Sequence, residues 1–299
     1  MRFVVTGGAG FVGSHLVKLL VKKGHEITVI DNLHSGKLEN LKEVKDKIKF
    51  LKLDIQDFNA MEENLREIDG VFHQAALTVV PDSFKIPDKY HSVNVDGTEN
   101  IFKIAQKNNF KVVYASSSSV YGHQKEIPIL ENFQKKPINP YGQTKLDDEI
   151  LAEKYSKLGV KIIGLRYFNI FGKGQTLDYA GVITKFLDRI RDGESPIIFG
   201  VGSQIRDFIH VEDVANANYL AMISNVENSH MNIGTGNSIS ILELAELMIE
   251  ISKLNLKPII SEPLEGDIEI SQSDSSLARK SFGWKPEKKL EDWLKEIMK

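Results

Sequence analysis

Residues 2–13, Arg2-Phe3-Val4-Val5-Thr6-Gly7-Gly8-Ala9-Gly10-Phe11-Val12-Gly13, decide the fold. The apolar run before Gly7 predicts a buried strand, and the apolar spacing after Phe11 predicts a helix. Between them the glycines follow a GxxGxxG spacing. In such a turn Gly7 permits the tight bend, Gly10 lets the backbone approach a pyrophosphate, and Gly13 lets helix and strand pack closely. The segment, including Phe11 and Val12 at the helix start, therefore predicts a dinucleotide-binding turn.

The first half of the chain repeats this alternation of short apolar runs and amphipathic stretches, which is typical of βαβ units with a parallel sheet. The predicted strands are Arg2–Thr6, Glu26–Asp31, Ile48–Asp54, Gly70–Gln74, Lys111–Ser116 and Val160–Tyr167. The predicted helices are Phe11–Lys23, Asn59–Glu67, Tyr90–Asn108 and Tyr141–Leu158. This pattern predicts an α/β fold with a doubly wound parallel sheet of the Rossmann type.

The regularity fades after Tyr167, where glycines become frequent. We therefore expect a nucleotide-binding domain over residues 1–167 and a smaller mixed α/β substrate-binding lobe over 168–299, with segments around 205–235 returning to the first domain. Ser240 with Glu243 predicts a capping box at the start of a helix, and Leu290–Met298 predicts a final amphipathic helix.

The composition limits the possible functions of the 299-residue chain. Its 38 Lys and Arg against 41 Asp and Glu give a net charge of −3, so no chain-wide basic field favours nucleic acid or an anionic membrane. No apolar stretch approaches 18 residues, and no secretory segment is evident, so we expect no membrane span. The absence of cysteine suits a reducing compartment, and we expect a cytoplasmic protein. Eight scattered histidines give no expectation of a metal.

Acidic residues follow the second and third predicted strands. Asp31 ends the second strand eighteen residues after Gly13, about where a carboxylate accepts hydrogen bonds from an adenosine ribose, with Asn32 beside it. A 2′-phosphate would be repelled there, which favours NAD over NADP. Asp54 and Ile55 end the third strand, where an adenine edge is expected. Capping of the next turn is the alternative explanation of Asp31.

Hydroxyl side chains and a Tyr/Lys pair carry the chemical hypothesis. The run Ser116-Ser117-Ser118-Ser119 lies at a strand end, where ligands of such sheets bind. Tyr141 and Lys145 are four residues apart at the start of a helix, so their side chains share one face. Half-ionising a phenol near pH 7 requires roughly 4 kcal/mol of preferential stabilisation of the phenolate, to which a neighbouring ammonium contributes. The pair is therefore a candidate acid/base.

These segments together resemble the extended short-chain dehydrogenase/reductase family, most closely its UDP-glucose 4-epimerases. Beside those already quoted, the matching segments are His73-Gln74-Ala75-Ala76, Asn94-Val95-Asp96-Gly97-Thr98, Val120-Tyr121-Gly122, Arg166-Tyr167-Phe168-Asn169, Arg206-Asp207-Phe208-Ile209-His210 and Gly266-Asp267. The resemblance covers essentially the whole chain.

The resemblance implies roles for particular residues. Tyr141 is the implied acid/base, Lys145 lowers its pKa and holds the nicotinamide ribose, and Ser117 bonds the reacting sugar hydroxyl. Further implied contacts are Ala75 and Asn94 to NAD, and Asn169, Arg206, Asp267 and Ser271 to a UDP-sugar. Many relatives carry an arginine two residues before the Gly of the Gly266-Asp267 turn, where this chain has Leu264.

Reversible NAD-dependent 4-epimerisation of UDP-glucose and UDP-galactose, through a transient 4-keto sugar, is the expected activity. A 4,6-dehydratase is expected to carry an Asp-Glu pair where Ser118 and Ser119 stand, and a decarboxylase a Glu just before Val120. An NADPH-linked reductase is opposed by Asp31. A non-catalytic NAD-binding sensor would have no need of the Ser117, Tyr141 and Lys145 set.

Two finer expectations follow from the resemblance. A homodimer would form through the helices Tyr90–Asn108 and Tyr141–Leu158, with Ile101, Ile104, Ile150 and Leu151 as interface candidates that could equally face their own sheet. In addition, Ser271 corresponds to a gate beside the sugar C2 substituent, where a small residue admits an acetamido group. N-acetyl sugars are thus expected substrates. The alternative is that Ser271 starts a polar turn.

Overall fold

A seven-stranded parallel sheet forms the centre of the protein. The computed structural model describes residues 1–175, 181–263 and 268–299. The order of the strands across the sheet is β3-β2-β1-β4-β5-β6-β11. They are β1 Arg2–Thr6, β2 Glu26–Ile30, β3 Ile48–Leu51, β4 Gly70–His73, β5 Lys111–Ser117, β6 Ile162–Tyr167 and β11 Asn228–Ile233. Every neighbouring pair is parallel, and the chain reverses its direction of winding between β1 and β4, so the predicted doubly wound fold is confirmed.

Helices cover both faces of the sheet. They are α1 Phe11–Lys22, α2 Phe58–Asn64, α3 Val80–Lys85, α4 Pro87–His91, α5 Gly97–Asn108, α6 Pro140–Ser156 and α8 Val211–Ile223. One buried apolar cluster joins α1 and α8 to the sheet, and a second joins α2, α5 and α6 to its other face. A layer of side chains on each side therefore fixes the helices relative to the strand ends.

The strand β11 was not among the predicted strands. Its sequence, Asn228-Ser229-His230-Met231-Asn232-Ile233, is too polar for an apolar run to reveal it. Two of its polar side chains have buried partners: the Tyr121 hydroxyl donates to Asn232 Oδ1 at 2.7 Å, and the Tyr114 hydroxyl lies 2.8 Å from His230 Nε2. The chain thus returns to the main sheet within residues 205–235, through α8 and β11.

Several predicted ends differ from the observed ones. The second strand stops at Ile30, one residue before the predicted end, and the third stops at Leu51 instead of Asp54. The predicted helix Tyr90–Asn108 begins earlier, at Pro87, and runs through a π-helical turn at Ser92–Asp96.

Four interface candidates divide between the core and the surface. Ile101 and Ile104 are fully buried in their own core cluster, so of the two alternatives expected for them the packing inside the protomer is confirmed. Leu151 also packs against that cluster, while Ile150 is 56% exposed.

Small sheets and helices form the rest of the described chain. The strands are β7 Asn169–Phe171, β8 Ile197–Phe199, β9 Ile205–Arg206, β10 Phe208–His210, β12 Ile239–Ser240, β13 Ile259–Ser261 and β14 Ile270–Ser271. The helices are α7 Val182–Arg191, α9 Ile241–Ser252, α10 Ser276–Phe282 and α11 Leu290–Ile297. The capping box of Ser240 with Glu243 is present, and β9 lies between β12 and β14. Over the described ranges, no helix has the length and apolar character to cross a membrane.

Candidate active site

A cavity of about 320 Å³ lies at the carboxyl ends of the parallel strands. It brings together twelve of the residues singled out in the sequence: Gly7, Gly10, Phe11, Val12, Gly13, Asp31, Asn32, Ile55, Ala75, Ser117, Tyr141 and Lys145. Residues between 7 and 145 converge here because parallel strands all end at the same edge of the sheet.

The glycine turn has the close contacts that its spacing predicts. Gly7 has φ of +67°, and a Cβ there would lie 2.6 Å from the Ala75 backbone nitrogen. A Cβ on Gly13 would overlap the Gly7 carbonyl oxygen, so α1 can approach β1 only without that side chain. The turn therefore leaves a cradle of backbone at the start of α1, where amides and the helix dipole favour phosphates.

Asp31 faces this turn from the end of β2. Its Oδ2 accepts a hydrogen bond from the Ala9 amide at 3.0 Å, and its Oδ1 accepts one from the Leu33 amide at 2.8 Å. Burial raises the pKa of Asp31, and the two amide bonds oppose that shift. Asn32 contacts the segment after β3 by donating from Nδ2 to Asp54 Oδ2 at 2.8 Å. The described lining of the cavity includes Ile55 and not Asp54.

Tyr141, Lys145 and Ser117 meet where α6 begins beside the end of β5. The helix starts with Pro140 at its first position, and the Asn139 side chain caps it by accepting from the Gly142 amide at 2.7 Å. Ser117 is the last residue of β5, and its Oγ donates to Ser119 Oγ at 3.1 Å. A phenol, an ammonium and a hydroxyl therefore line one cavity with the glycine turn.

Lys145 has a buried partner that the sequence reasoning missed. Its Nζ donates to Asp148 Oδ2 at 3.0 Å, and the two side chains are 4% and 0% exposed. An Asp three residues after a Lys on one helix is the sequence feature that could have indicated this pair.

A second buried ion pair fixes α6 against the sheet. The Arg166 guanidinium donates from Nε and Nη2 to the two Glu149 carboxylate oxygens at 2.7 and 2.9 Å. Glu149 also accepts from Ser116 Oγ at 2.7 Å, and Arg166 Nη1 donates to the Tyr121 hydroxyl at 2.6 Å. The helix that carries Tyr141 is thus tied to β5 and β6 by charge-assisted bonds.

Asn94 is fully buried, lies in the π-helical turn, and is not among the described residues that line the cavity. Its Oδ1 accepts from the Leu77 amide at 2.8 Å, while its Nδ2 donates to the Leu77 carbonyl and to Thr144 Oγ1, both at 3.0 Å. It therefore joins the loop after β4 to the first turns of α6.

Asn169, Arg206 and Ser271 lie together outside the described cavity lining. Ser271 of β14 pairs in register with Arg206 of β9, and both are buried. The Asn169 amide and side chain both donate to the Asp207 carbonyl, at 3.0 and 3.3 Å. Asp267 and Leu264 lie outside the described residues.

The Asp207 carboxylate organises this region, and the sequence reasoning gave it no role. It is fully buried and accepts five hydrogen bonds: from Thr235 N and Oγ1, Gly236 N, and Ser273 N and Oγ, at 2.6–3.0 Å. These bonds connect the loop after β11 to the segment after β14, and so fix Ser271 relative to the sheet.

The model of the NAD dependent epimerase/dehydratase family matches residues 3–234. The chain belongs to this family. The matched range holds the glycine turn, Ser117, Tyr141 and Lys145, and it ends one residue after β11. Membership therefore agrees with the fold and with the composition of the cavity.

Solved family structures have the same fold over the whole chain. The UDP-glucose 4-epimerase of Thermotoga maritima, with UDP-glucose, has a TM-score of 0.95 at 35% identity, covering 100% of this chain and 97% of that one. The UDP-N-acetylglucosamine 4-epimerase of Methanobrevibacter ruminantium, in complex with UDP-N-acetylmuramic acid, has a TM-score of 0.94 at 37% identity, covering 99% and 96%.

A relative with a different reaction is about as similar. The UDP-N-acetyl-alpha-D-glucosaminuronate decarboxylase of Bacillus cytotoxicus is 35% identical over 88% of this chain and 84% of its own length. Overall similarity within the family therefore does not separate epimerisation from decarboxylation, and individual residues have to decide.

The residues present fit the dinucleotide of the family. The side-chain-free backbone at Gly7, Gly10 and Gly13 leaves room that a Cβ would fill, and Asp31 stands at the end of the next strand. The described residues contain no group of three or more His, Asp or Glu side chains placed to hold a metal ion.

Proposed function

We propose that this protein catalyses the reversible, NAD-dependent 4-epimerisation of a UDP-hexose through a transient 4-keto sugar, as an isomerase. The observation that carries the proposal is the convergence of Ser117, Tyr141 and Lys145 on the cavity that the glycine turn also lines. The proposed substrates are UDP-glucose and UDP-galactose together with their N-acetyl forms.

Each of these side chains has a chemical task in the proposal. Tyr141, as phenolate, takes the proton of the sugar C4 hydroxyl and later returns it. Lys145 stabilises that phenolate by its charge and also bonds the nicotinamide ribose, and Ser117 holds the reacting hydroxyl. Bound at the glycine turn and Asp31, NAD would supply the hydride acceptor and donor that oxidation and re-reduction at the sugar C4 require.

Ser118 and Ser119 favour epimerisation over the other reactions of the family. Expulsion of water or loss of a carboxylate calls for acidic or basic groups beside the sugar, and these two hydroxyls supply none. Ser119 instead bonds Ser117 through both its amide and its hydroxyl, at 3.1 Å each. Decarboxylation, the reaction named for the Bacillus cytotoxicus relative, is the second candidate activity.

The remaining residues are assigned to the cofactor and the substrate. We assign NAD to Gly7, Gly10, Phe11, Val12, Gly13, Asp31, Asn32, Asp54, Ile55, Ala75 and Asn94, within the 1–167 domain joined by residues around 205–235. We assign the UDP-sugar to Asn169, Arg206, Asp267 and Ser271 of the 168–299 lobe. The close register of Arg206 with Ser271 supports one continuous substrate surface.

We also propose a cytoplasmic homodimer that pairs through α5 and α6. Ile150, at 56% exposure on α6, supports this face, whereas Ile101 and Ile104 are buried inside the protomer. Sedimentation at micromolar concentration tests the dimer, and a monomer at that concentration would contradict it.

The activity is tested with the purified protein and UDP-galactose or UDP-N-acetylgalactosamine, without added NAD, followed by separation of the products. Tyr141→Phe should lose about 10² to 10⁴-fold in rate because it removes only the proton-transfer hydroxyl. Tyr155→Phe is the matched control, since its hydroxyl lies on the same helix and donates to Glu99. A Tyr141→Phe rate within a few-fold of the control would refute the role of Tyr141.

A further inference from the structure

A buried carboxylate in contact with Lys145 is not used by the proposed reaction. Asp148 lies one helical turn after Lys145 in α6, and its Oδ2 accepts the Nζ hydrogen bond at 3.0 Å. Its Oδ1 is buried without a hydrogen bond of good geometry among the described residues, and the Thr98 side chain is a further polar neighbour that, after Lys145, lowers the pKa of Asp148. A buried carboxylate with one unsatisfied oxygen is costly, so the Lys145 contact is its main compensation.

The charged and titratable groups on the elements around Asp148 leave Lys145 as its cation. These groups are Lys145, Asp147 and Glu149 on α6, His73 on β4, Glu99 on α5, Tyr114 on β5 and Arg166 on β6. The helices α3 and α4 also pack against α6, and their charged side chains Lys85, Asp88, Lys89 and His91 are exposed to solvent. Glu149 and Arg166 bind each other, and Glu99 is bound by two surface lysines. Burial lowers the pKa of His73 to about 3 and raises that of Tyr114, so both are neutral near pH 7.

We propose that Asp148 is a positioning residue that holds the Lys145 ammonium and limits how strongly this ammonium stabilises a Tyr141 phenolate. The proposal rests on the proposed acid/base role of Tyr141. It follows from the order of the three groups along α6: the phenol, then the ammonium one turn later, then the carboxylate. A negative charge behind the ammonium offsets part of the positive potential that the phenol experiences.

The geometry sets the size of the effect. Asp148 follows Tyr141 by seven residues, which is about 10 Å along a helix axis. At that distance and an effective dielectric constant of about 20, one unit charge shifts the pKa of a neighbouring group by roughly one pH unit. Burial raises the pKa of Asp148 itself to about 6, against the opposing effect of Lys145, so the carboxylate is charged near neutral pH.

The experiment compares pH profiles of kcat/KM for UDP-galactose epimerisation. Asp148→Asn removes the charge with little change in shape, and the acid limb should move to lower pH by roughly one unit. Asp148→Ser should move it in the same direction, which keeps the test valid if one variant fails to fold. The matched control is Asp147→Asn, because Asp147 is the adjacent residue and its Oδ1 accepts from Gln143 at the surface; its profile should match the wild type.

A second readout is independent of turnover. In protein labelled with carbon-13 at the tyrosine ring, the Tyr141 resonance, assigned by its loss in Tyr141→Phe, should titrate at lower pH in Asp148→Asn than in Asp147→Asn. Unshifted titration and an unshifted acid limb, with only a lower rate, would mean that Asp148 is merely structural. Full activity of Tyr141→Phe would instead overturn the proposed function, so the two failures are distinguishable.

Discussion

The buried pair of Glu149 and Arg166 gives the sharpest stability prediction. Glu149→Ala removes the carboxylate that receives two Arg166 bonds at 2.7 and 2.9 Å, and it leaves the guanidinium, 1% exposed, with Tyr121 and a backbone carbonyl as partners. Breaking a buried pair on one side costs about 3–5 kcal/mol because an uncompensated charge remains. We expect a loss of that size in the free energy of unfolding.

The assay is urea unfolding at pH 7, followed by circular dichroism. Glu291→Ala is the control, because Lys295 binds Glu291 at 2.6 Å on a helix surface where both side chains are more than half exposed. Exposed pairs of this kind contribute little to stability because water already solvates both charges. The double variant Glu149→Leu with Arg166→Met removes both charges and should be more stable than Glu149→Ala alone.

A loss in Glu149→Ala within 1 kcal/mol of the Glu291→Ala value would refute this reasoning, since it would mean that water or rearrangement compensates Arg166 at little cost. A double variant less stable than the single one would indicate that packing around α6, and not the orphaned charge, dominates.

Three further predictions concern the cofactor, the substrate and pH. Asp31→Ala should relax discrimination between NAD and NADP in a binding titration, because both ribose bonding and repulsion of a 2′-phosphate are lost. Asp46→Ala, at an exposed aspartate outside the cavity lining, is the control, and equal discrimination in both variants would place the selecting residue elsewhere. Ser271→Tyr should reduce activity on N-acetyl sugars far more than on plain hexoses by overpacking, and equal losses would exclude a gate. Burial raises the pKa of Asp148 to about 6, so between pH 6 and 4 the folded protein binds a proton there that the unfolded chain does not, and this proton uptake stabilises the wild type on acidification. Asp148→Asn lacks this contribution, so its free energy of unfolding should fall more steeply than that of the wild type, by up to about 1.4 kcal/mol per pH unit. Parallel curves for the two proteins would contradict the raised pKa.

The part of the fold that depends on local periodicity was predictable. Six strands of the main sheet and the helices α1, α2, α5 and α6 follow from apolar runs and three- to four-residue spacing, whereas α3, α7, α8 and α10 were not predicted. The seventh strand escaped because Asn232 and His230 gain their partners, Tyr121 and Tyr114, only in the folded chain. Buried polar side chains that are satisfied by distant residues leave no periodic pattern in the sequence.

In the candidate site, too, the local patterns were predictable and the long-range contacts were not. Tyr141 and Lys145 share a helix face by geometry, and the glycines carry their own spacing, so their common cavity could be expected from the sequence. Asp207 collects donors from residues 235, 236 and 273, and no local rule links such positions. Sequence reasoning therefore brought together the residues that line the cavity and missed the long-range hydrogen bonds around Asp207.

The late return of β11 to the sheet has a consequence for protein synthesis. The six residues of β6 are all buried, yet the strand that covers their outer edge emerges from the ribosome only after β7 to β10, α7 and α8 have been made. At about 5–20 residues per second, several seconds pass between the synthesis of β6 and that of β11, and during this time the outer edge of β6 has no partner strand. Such an edge invites pairing with other chains, so a fragment ending at residue 167 should aggregate, and slowed translation between 167 and 233 should lower the soluble yield.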